Sequence, residues 1–435
     1  MKGKKLILKL IAEVSRILLG ATFVFSGFVK AVDPMGTAYK IQDYFVAFGL
    51  PSLSVLSVPL AIMMCVGEFT LGAFMVVGLY RRVTSILMLL VMLFMTALTF
   101  YLAIANPVSD CGCFGDFLVI TNWQTFYKNL ILLACAIFLF FNYHRITNLF
   151  TGKFYWVVGI FTIFYITGFS LYNSYYEPVF DFRPYKIGAD LPKLMQVEEG
   201  KGDVYENIFI YEKDGVKKEF TEANYPWRDT TWTFVDRKTS LVKEGEKPVI
   251  HDFSINKQVF SPDKTGIEYE EDITQEVLSD SGYVFLMIAY SLPETNVSHL
   301  SSFEDVSNYA ADHHYKFYCL TSSTSEDILK WEKENTFNFT YCKTDERTLK
   351  TIMRSNPGLL LLKNGTIINK WPDHLVPKEN ILVKPLDELD VSKVEIMDAA
   401  NERHLAYLIL LFVCPLMIIK VFDFIIYQRR NKTIG

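Results

Sequence analysis

CVGEFTLGAFMVVGLYRR, residues 65–82, sets the acidic Glu68 inside a run of apolar residues that ends on Arg81 and Arg82. A stretch this apolar is long enough to cross a bilayer, the arginines mark the end held in the cytoplasm, and a carboxylate at that depth requires a partner. The same pattern recurs along the chain, giving six candidate spans at 8–29, 53–79, 82–105, 125–142, 154–172 and 405–427. With 51% hydrophobic and only 21% charged residues, the 435-residue chain is too apolar for an ordinary soluble protein of several domains.

Basic residues fix the expected orientation. Lys2, Lys4 and Lys5, then Arg81–Arg82, then His144–Arg145 with Lys153, and finally Arg429–Arg430 with Lys432 fall at the chain start, two alternate loops and the chain end. Six spans with both termini cytoplasmic put all of them on one side, and leave 31–52, 106–124 and 173–402 outside. No small-residue cleavage site follows the first apolar run, so an uncleaved first span is expected. The expected location is a bacterial inner membrane, with 173–402 periplasmic and membrane lipid as one partner. A net charge of −5 gives no reason to expect nucleic-acid binding.

Within the first two spans, Glu13 and Arg16 share a helix face. Counting ~1.5 Å per residue from the cytoplasmic ends puts Arg16 and Glu68 within about 6 Å of the same depth. An intramembrane Arg16–Glu68 ion pair is therefore expected, either structural or facing a proton or quinone path. Gly20, Gly27, Gly67, Gly72 and Gly78 suit close helix approach. The loop TAYKIQDYFVAFGLP sets Tyr39, Ile41, Tyr44, Phe45 and Phe48 on an amphipathic helix, lying in the outer interface or packed over the bundle mouth.

Taken together, RILLGATFVFSGFVKAVDP, GEFTLGAFMVVGLYRR and DCGCFG resemble the DoxX/MauE superfamily of small membrane proteins, over about 1–145. The resemblance implies a four-helix bundle and, for MauE-like proteins, a part in disulfide formation or electron transfer during maturation of envelope proteins.

From 173 the composition turns polar. IFIYEKDGVKKEFT reads as a hairpin turning at Lys213-Asp214-Gly215, and TTWTFVDRKT as a further strand. From about 247, apolar strands alternate with helical stretches and end in a hairpin around Lys363-Asn364-Gly365, the pattern of a mainly parallel α/β sheet. This part resembles a TlpA-like thioredoxin fold over about 247–372, and the resemblance makes Pro357 the cis-proline. In that fold a Cys-x-x-Cys follows the strand VFLMIAY, yet here the residues are AYSLPETNVSHL, with Ser291, Pro293 and Glu294 and no cysteine. The domain is expected to be redox-dead and kept for binding or structure. The expected division is 1–145 four-helix transmembrane domain, 146–173 fifth transmembrane helix, 174–246 β-rich linker, 247–395 thioredoxin-like domain without Cys-x-x-Cys, and 404–428 C-terminal transmembrane helix.

Three of the seven cysteines, Cys65, Cys135 and Cys414, lie in spans and read as packing residues. The other four lie outside, where disulfides persist. Cys319 and Cys342 end two strands joined by one helix, which a right-handed crossover can set side by side; a structural disulfide, two free thiols or an exchanging pair all remain open. His251, His299, His313, His314 and His374 show no ligand spacing, so no metal is expected.

Cys111 and Cys113 flank a single glycine. Oxidation closes a small strained ring, which makes a better electron acceptor, and Gly112 removes the Cβ that would obstruct the bend. Asp110 and Asp116 work against a thiolate. A redox pair, a structural turn or disulfide, and a metal clip are the three readings. The leading function is extracytoplasmic thiol–disulfide or electron transfer through Cys111 and Cys113, with an extracytoplasmic protein partner held by the thioredoxin-like domain. No cofactor is fixed by the residues; a quinone in the bundle is the carrier a membrane location offers. The alternative is a non-enzymatic envelope scaffold or assembly subunit whose outer domain binds a secreted or lipoprotein partner.

Overall fold

The computed structural model describes residues 2–434 apart from 109, 198–199, 244, 262–265, 336, 338 and 395–396. Its helical part comprises α1 (Lys2–Val32), α2 (Pro34–Ala47), α3 (Ser57–Val77), α4 (Arg81–Ala105), α5 (Asn122–Asn142) and α6 (Tyr155–Tyr176). Among the described residues, five helical stretches are long and apolar enough to cross a membrane: Pro51–Val77, Arg81–Ala105, Asn122–Arg145, Gly152–Tyr176 and Ala400–Arg429. The chain is thus a membrane protein. The expected first span falls in α1, which is not one of the five; Glu13, Arg16 and Lys30 interrupt its apolar surface, and it packs along α3.

Glycines set that packing. A Cβ added at Gly20 would stand 2.6 Å from Val76 Cγ2, one at Gly72 would stand 2.5 Å from the Val24 amide nitrogen, and one at Gly27 would strike the Phe69 backbone. The antiparallel register follows, with Gly20 beside Gly72 and Val76, and Gly27 beside Cys65 and Phe69.

The polar part begins with α7 (Leu191–Leu194). A three-stranded antiparallel sheet follows, in the order β2 (Val216–Thr221), β1 (Val204–Lys213), β3 (Thr233–Lys243). Its hairpin pairs Lys213 with Val216, and both turn residues, Asp214 and Gly215, have positive φ, 52° and 79°.

The larger sheet is built from β4 (Asn256–Phe260), β5 (Ile267–Asp272), β6 (Tyr283–Ile288), β7 (Lys316–Thr321), β8 (Tyr341–Lys343), β9 (Gly358–Lys363) and β10 (Thr366–Pro372), with α8 (Thr274–Leu278), α9 (Leu300–Asp312), α10 (Ser325–Asn335) and α11 (Glu346–Ile352) between them. Its order is β10-β9-β6-β7-β8-β4-β5. Only β6–β7 and β7–β8 pair in parallel, so the sheet is mixed rather than mainly parallel. One reason is that β9 and β10 are joined by the two-residue turn Asn364-Gly365, which closes only an antiparallel pair. Every residue of β6 is buried, because apolar side chains cover both faces of the sheet. The Asn356–Pro357 peptide ahead of β9 is cis. A final helix, α12 (Met397–Ile434), leans on α6 and is exposed along most of its length, as a helix facing lipid is.

Cys319 and Cys342 do not meet. In the parallel register Cys319 stands opposite Tyr341 and Leu320 opposite Cys342, so the two thiols are one residue out of step. Successive strand residues point to opposite faces, and the two cysteines pack into different cores, one on each side of the sheet. Both are free and buried. Peptide mapping without reductant should recover both unbridged; a Cys319–Cys342 crosslinked peptide would require the β7–β8 register to be wrong.

Candidate functional site at the mouth of the bundle

The loop carrying Cys111 and Cys113 joins α4 to α5. Asn106 ends α4 in a left-handed conformation, and its Oδ1 accepts from Asn122 Nδ2 at 2.9 Å; the same amide donates to the Val108 carbonyl at 3.0 Å. At the start of α5, Thr121 and Gln124 cap each other's backbone groups. Gly112 takes φ +65°, and the fold brings Cys111 Sγ to 3.0 Å from Cys113 Sγ.

Groups from three other helices seat this loop. Tyr44 of α2 donates to the Cys111 carbonyl at 2.9 Å. Ser26 Oγ of α1 lies within donating distance of the Cys113 carbonyl, 2.8 Å, and of Glu68 Oε2 of α3, 2.7 Å. Lys30 Nζ completes the cluster, 2.6 Å from Glu68 and 2.7 Å from Ser26. The amphipathic segment therefore packs over the bundle mouth as α2, with Asp33 capping it at Gly36.

The expected Arg16–Glu68 pair is not formed. Arg16 binds Glu13 at 2.6 Å and the carbonyls of Val76 and Thr147, each at 3.0 Å, near the C-terminal end of α3 and about two turns from mid-helix Glu68. Glu68 pairs with Lys30 at 2.6 Å instead. The register fixed by Gly20, Gly27 and Gly72 explains the exchange, since it runs α1 antiparallel to α3 and carries Lys30, not Arg16, to the level of Glu68. Removing one partner of a buried pair leaves the other charge uncompensated. Lys30→Met should therefore lower bundle stability by about 3 kcal/mol, and adding Glu68→Gln should restore a large share, as read from thermal melts in detergent.

The flanking aspartates do not face the sulfurs unopposed. Asp110 pairs with Lys40 at 2.6 Å and accepts from the Gly112 amide, while Asp116 approaches Arg354 at 3.4 Å. The hydrogen bond shared with the Cys111 sulfur draws the Cys113 thiol below its ordinary value; burial opposes it, and the Lys128 and Lys30 ammonium groups reinforce it. The same hydrogen bond and burial push the Cys111 thiol up. Such a division of labour gives one sulfur ready to attack and one that stays protonated until needed. Lys40 and Arg354 thereby offset the suppression of a thiolate expected of Asp110 and Asp116.

Two cavities meet at Gly112. Behind the loop is a space of about 160 Å³ lined by both cysteines, Lys30, Lys128, Tyr44, Glu68 and the apolar side chains of α4. On the other side a polar cleft of about 390 Å³ separates the bundle from the larger sheet domain, bounded by Asp33, Lys40, Asp116, Arg183, Arg347 and Arg354. Thr37 and Lys40 line both, so they form the wall between them.

The sheet domain is pinned across that cleft. Arg354, just before the cis-proline, makes a bidentate contact with Asp33, and the Arg354 and Ser355 amides donate to Glu177 at 2.7 and 2.9 Å. Arg183 joins Glu177 at 3.1 Å and Asp181 at 2.6 Å, and Lys370 of β10 reaches Asp181 at 3.0 Å. Where the fold resemblance calls for a Cys-x-x-Cys, Ser291 accepts from Asn356 Nδ2 at 2.8 Å through its carbonyl, and Pro293 and Glu294 form a short 3-10 turn. Among the described residues no group of three or more His, Cys, Asp or Glu side chains is placed to hold a metal ion.

Sequence reasoning missed Ser26, Lys30, Lys128 and Arg354. Lys30 and Lys128 carried a signal, because each lies in or beside an apolar run, where a lysine is costly enough to be a site residue by default.

No curated protein matches the chain. Residues 205–244, which form most of the three-stranded sheet, match a domain of unknown function (DUF8463). Residues 8–142 match the family described as methylamine utilisation protein MauE. Residues 8–142 thus form a MauE-like membrane domain.

Proposed function

We propose that this protein carries out thiol–disulfide electron transfer on the outer side of an inner membrane, with Cys113 as attacking thiolate and Cys111 as resolving thiol. The single observation that supports it most is the arrangement of the loop: two sulfurs 3.0 Å apart beside Lys30 and Lys128, with both aspartates engaged by other cations. A structural turn has no use for that charge pattern, and a metal clip would need further ligands.

In this reading α1 is an additional span, both termini are cytoplasmic, and 173–402 is periplasmic. The larger domain is thioredoxin-like, supported by its parallel β6–β7 unit, the β9–β10 hairpin and the cis-proline ahead of it. Lacking its own cysteines at the usual place, it recognises a partner protein and stands over the Cys-Gly-Cys loop. When the pair is a disulfide, a partner thiolate attacks the Cys113 sulfur and Cys111 leaves as the thiol; the partner's second thiol then displaces Cys113, so the pair ends reduced and the partner oxidised, and Cys113 attacks in its turn when the reduced pair passes its electrons on.

Thiol trapping in intact cells tests this. Rapid acid quenching and alkylation should find an oxidised fraction of the Cys111–Cys113 pair, and Cys111→Ser should accumulate a mixed disulfide through Cys113. A pair that never changes state, together with a fully functional double serine variant, would leave the scaffold reading in its place.

A further inference from the structure

We propose that the cavity behind the Cys-Gly-Cys loop binds the ring of a lipid-soluble quinone, which takes the electrons of the dithiol. This rests on the redox reading above and names the acceptor it needs.

The two cysteines line the membrane-side cavity, whereas Gly112, Gly115 and Asp116 are the residues of this loop that line the polar cleft. The site nearest the sulfurs is therefore the apolar one. Its walls include Met64, Met92, Met95 and Leu98, flexible thioethers and a branched side chain that can close on a flat ring. Phe94, which also lines the cavity, is 64% exposed on the outer surface of α4, a helix apolar enough to lie in a bilayer. The space thus opens toward acyl chains, and a cavity of about 160 Å³ admits a ring but not a folded partner's loop.

Charge narrows the class further. Lys30 is neutralised by Glu68, while Lys128 makes no ion pair among the described residues and sits 4.2 Å from the Phe114 ring centroid. A partly buried, unneutralised ammonium group beside an apolar cavity suits a neutral ligand that becomes negative as it reacts. A quinone carbonyl is such a group, since its oxygen gains the electron pair.

The chemistry balances with groups in place. Cys113 sulfur, as thiolate, bonds to a ring carbon and drives an electron pair onto one quinone oxygen, which takes a proton from Lys128. Cys111 sulfur then bonds to Cys113 sulfur, the carbon–sulfur bond breaks, and the pair moves to the second oxygen, which receives the Cys111 proton. Dithiol becomes disulfide and quinone becomes quinol, with two electrons and two protons transferred. Lys128 regains its proton from the outer aqueous side.

The test uses the full-length protein in phosphatidylcholine vesicles, reduced with dithiothreitol, desalted and mixed with decylubiquinone. Quinone absorbance should fall by one equivalent per protein as the Cys111 and Cys113 thiols disappear. Leu98→Trp, which fills the cavity, should slow this at least tenfold and leave oxidation by diamide, a small soluble oxidant, unchanged. Lys128→Met, which keeps the apolar packing, should slow it similarly. A pair that diamide oxidises but decylubiquinone does not would overturn the quinone site and leave the redox reading intact. A pair that neither reagent oxidises overturns both.

Discussion

Replacing Cys113 with serine is expected to abolish electron transfer, whereas Cys111→Ser should retain the attacking sulfur and stall on the partner. The two phenotypes differ because the site makes the sulfurs unequal. With the Cys113 thiol drawn below its ordinary value, a larger share of it is thiolate at pH 7 than the few per cent of an ordinary cysteine. Lower basicity also weakens a nucleophile, by a Brønsted slope of about 0.4–0.5, so the gain in rate at pH 7 is smaller than the gain in thiolate. The midpoint is therefore the sharper readout. Alkylation of Cys113 in the Cys111-containing protein should rise and level off at lower pH than for an ordinary cysteine, while Cys111 stays slow throughout the neutral range. In Cys111→Ser the Cys113 midpoint should move up if the hydroxyl donates less effectively than the thiol, and Lys30→Met should move it up as well. A midpoint for Cys113 near 8.5 in the wild-type protein would remove the basis for calling it the attacking group.

Arg354→Met is expected to release the sheet domain from the bundle. Arg354 and Asp33 are both largely buried, with side-chain exposures of 7% and 18%, so deleting the cation strands a carboxylate in the cleft. The cost should be about 3 kcal/mol, and Arg354→Met with Asp33→Asn should recover much of it. Hydrogen exchange reads this directly: the Arg354 and Ser355 amides, both bound to Glu177, should lose protection first. The same contact has a pH limit. Burial raises Asp33, and the Arg354 and Arg183 guanidinium groups more than offset it, leaving the carboxyl below its usual value. A depressed carboxyl contributes stability above its unfolded value of about 4 and loses it as pH falls through the lowered one. Docking should accordingly hold through neutral pH and weaken only in strong acid, which an exchange series at falling pH would follow.

Much of this architecture is legible in local sequence. Asp214-Gly215 and Asn364-Gly365 each adopt positive φ and turn their hairpins, because few other residue pairs adopt that conformation at low cost. Gly20, Gly27 and Gly72 are readable as contact points for a similar reason, whereas Gly67, read the same way, has open space around it. What could not be read was the register those glycines impose, and the ion pairs followed the register. Depth counting assumed that α1 begins where its apolar run begins, yet the helix starts at Lys2, and Arg16 ends beside the α5–α6 connection at Thr147. Cys319 and Cys342 failed for a related cause: adjacency of strands says nothing about which face a side chain takes, and a one-residue offset reverses it. The Cys-Gly-Cys loop itself was visible, but its electrostatics were not. Asp110 and Asp116 are next to the cysteines in sequence, and the cations that neutralise them come from positions 40 and 354.

Because the sheet domain leaves the bundle through α6 and returns through α12, it is tethered at both ends to the helices it docks on. Its docking is an intramolecular equilibrium governed by an effective concentration, on the order of millimolar for short connections. A contact with an intrinsic Kd of about 0.1 mM would then be closed roughly nine-tenths of the time. The interface around Arg354 can consequently be small and polar and still remain occupied, and a partner competing for the same face need supply only a kilocalorie or two to open it.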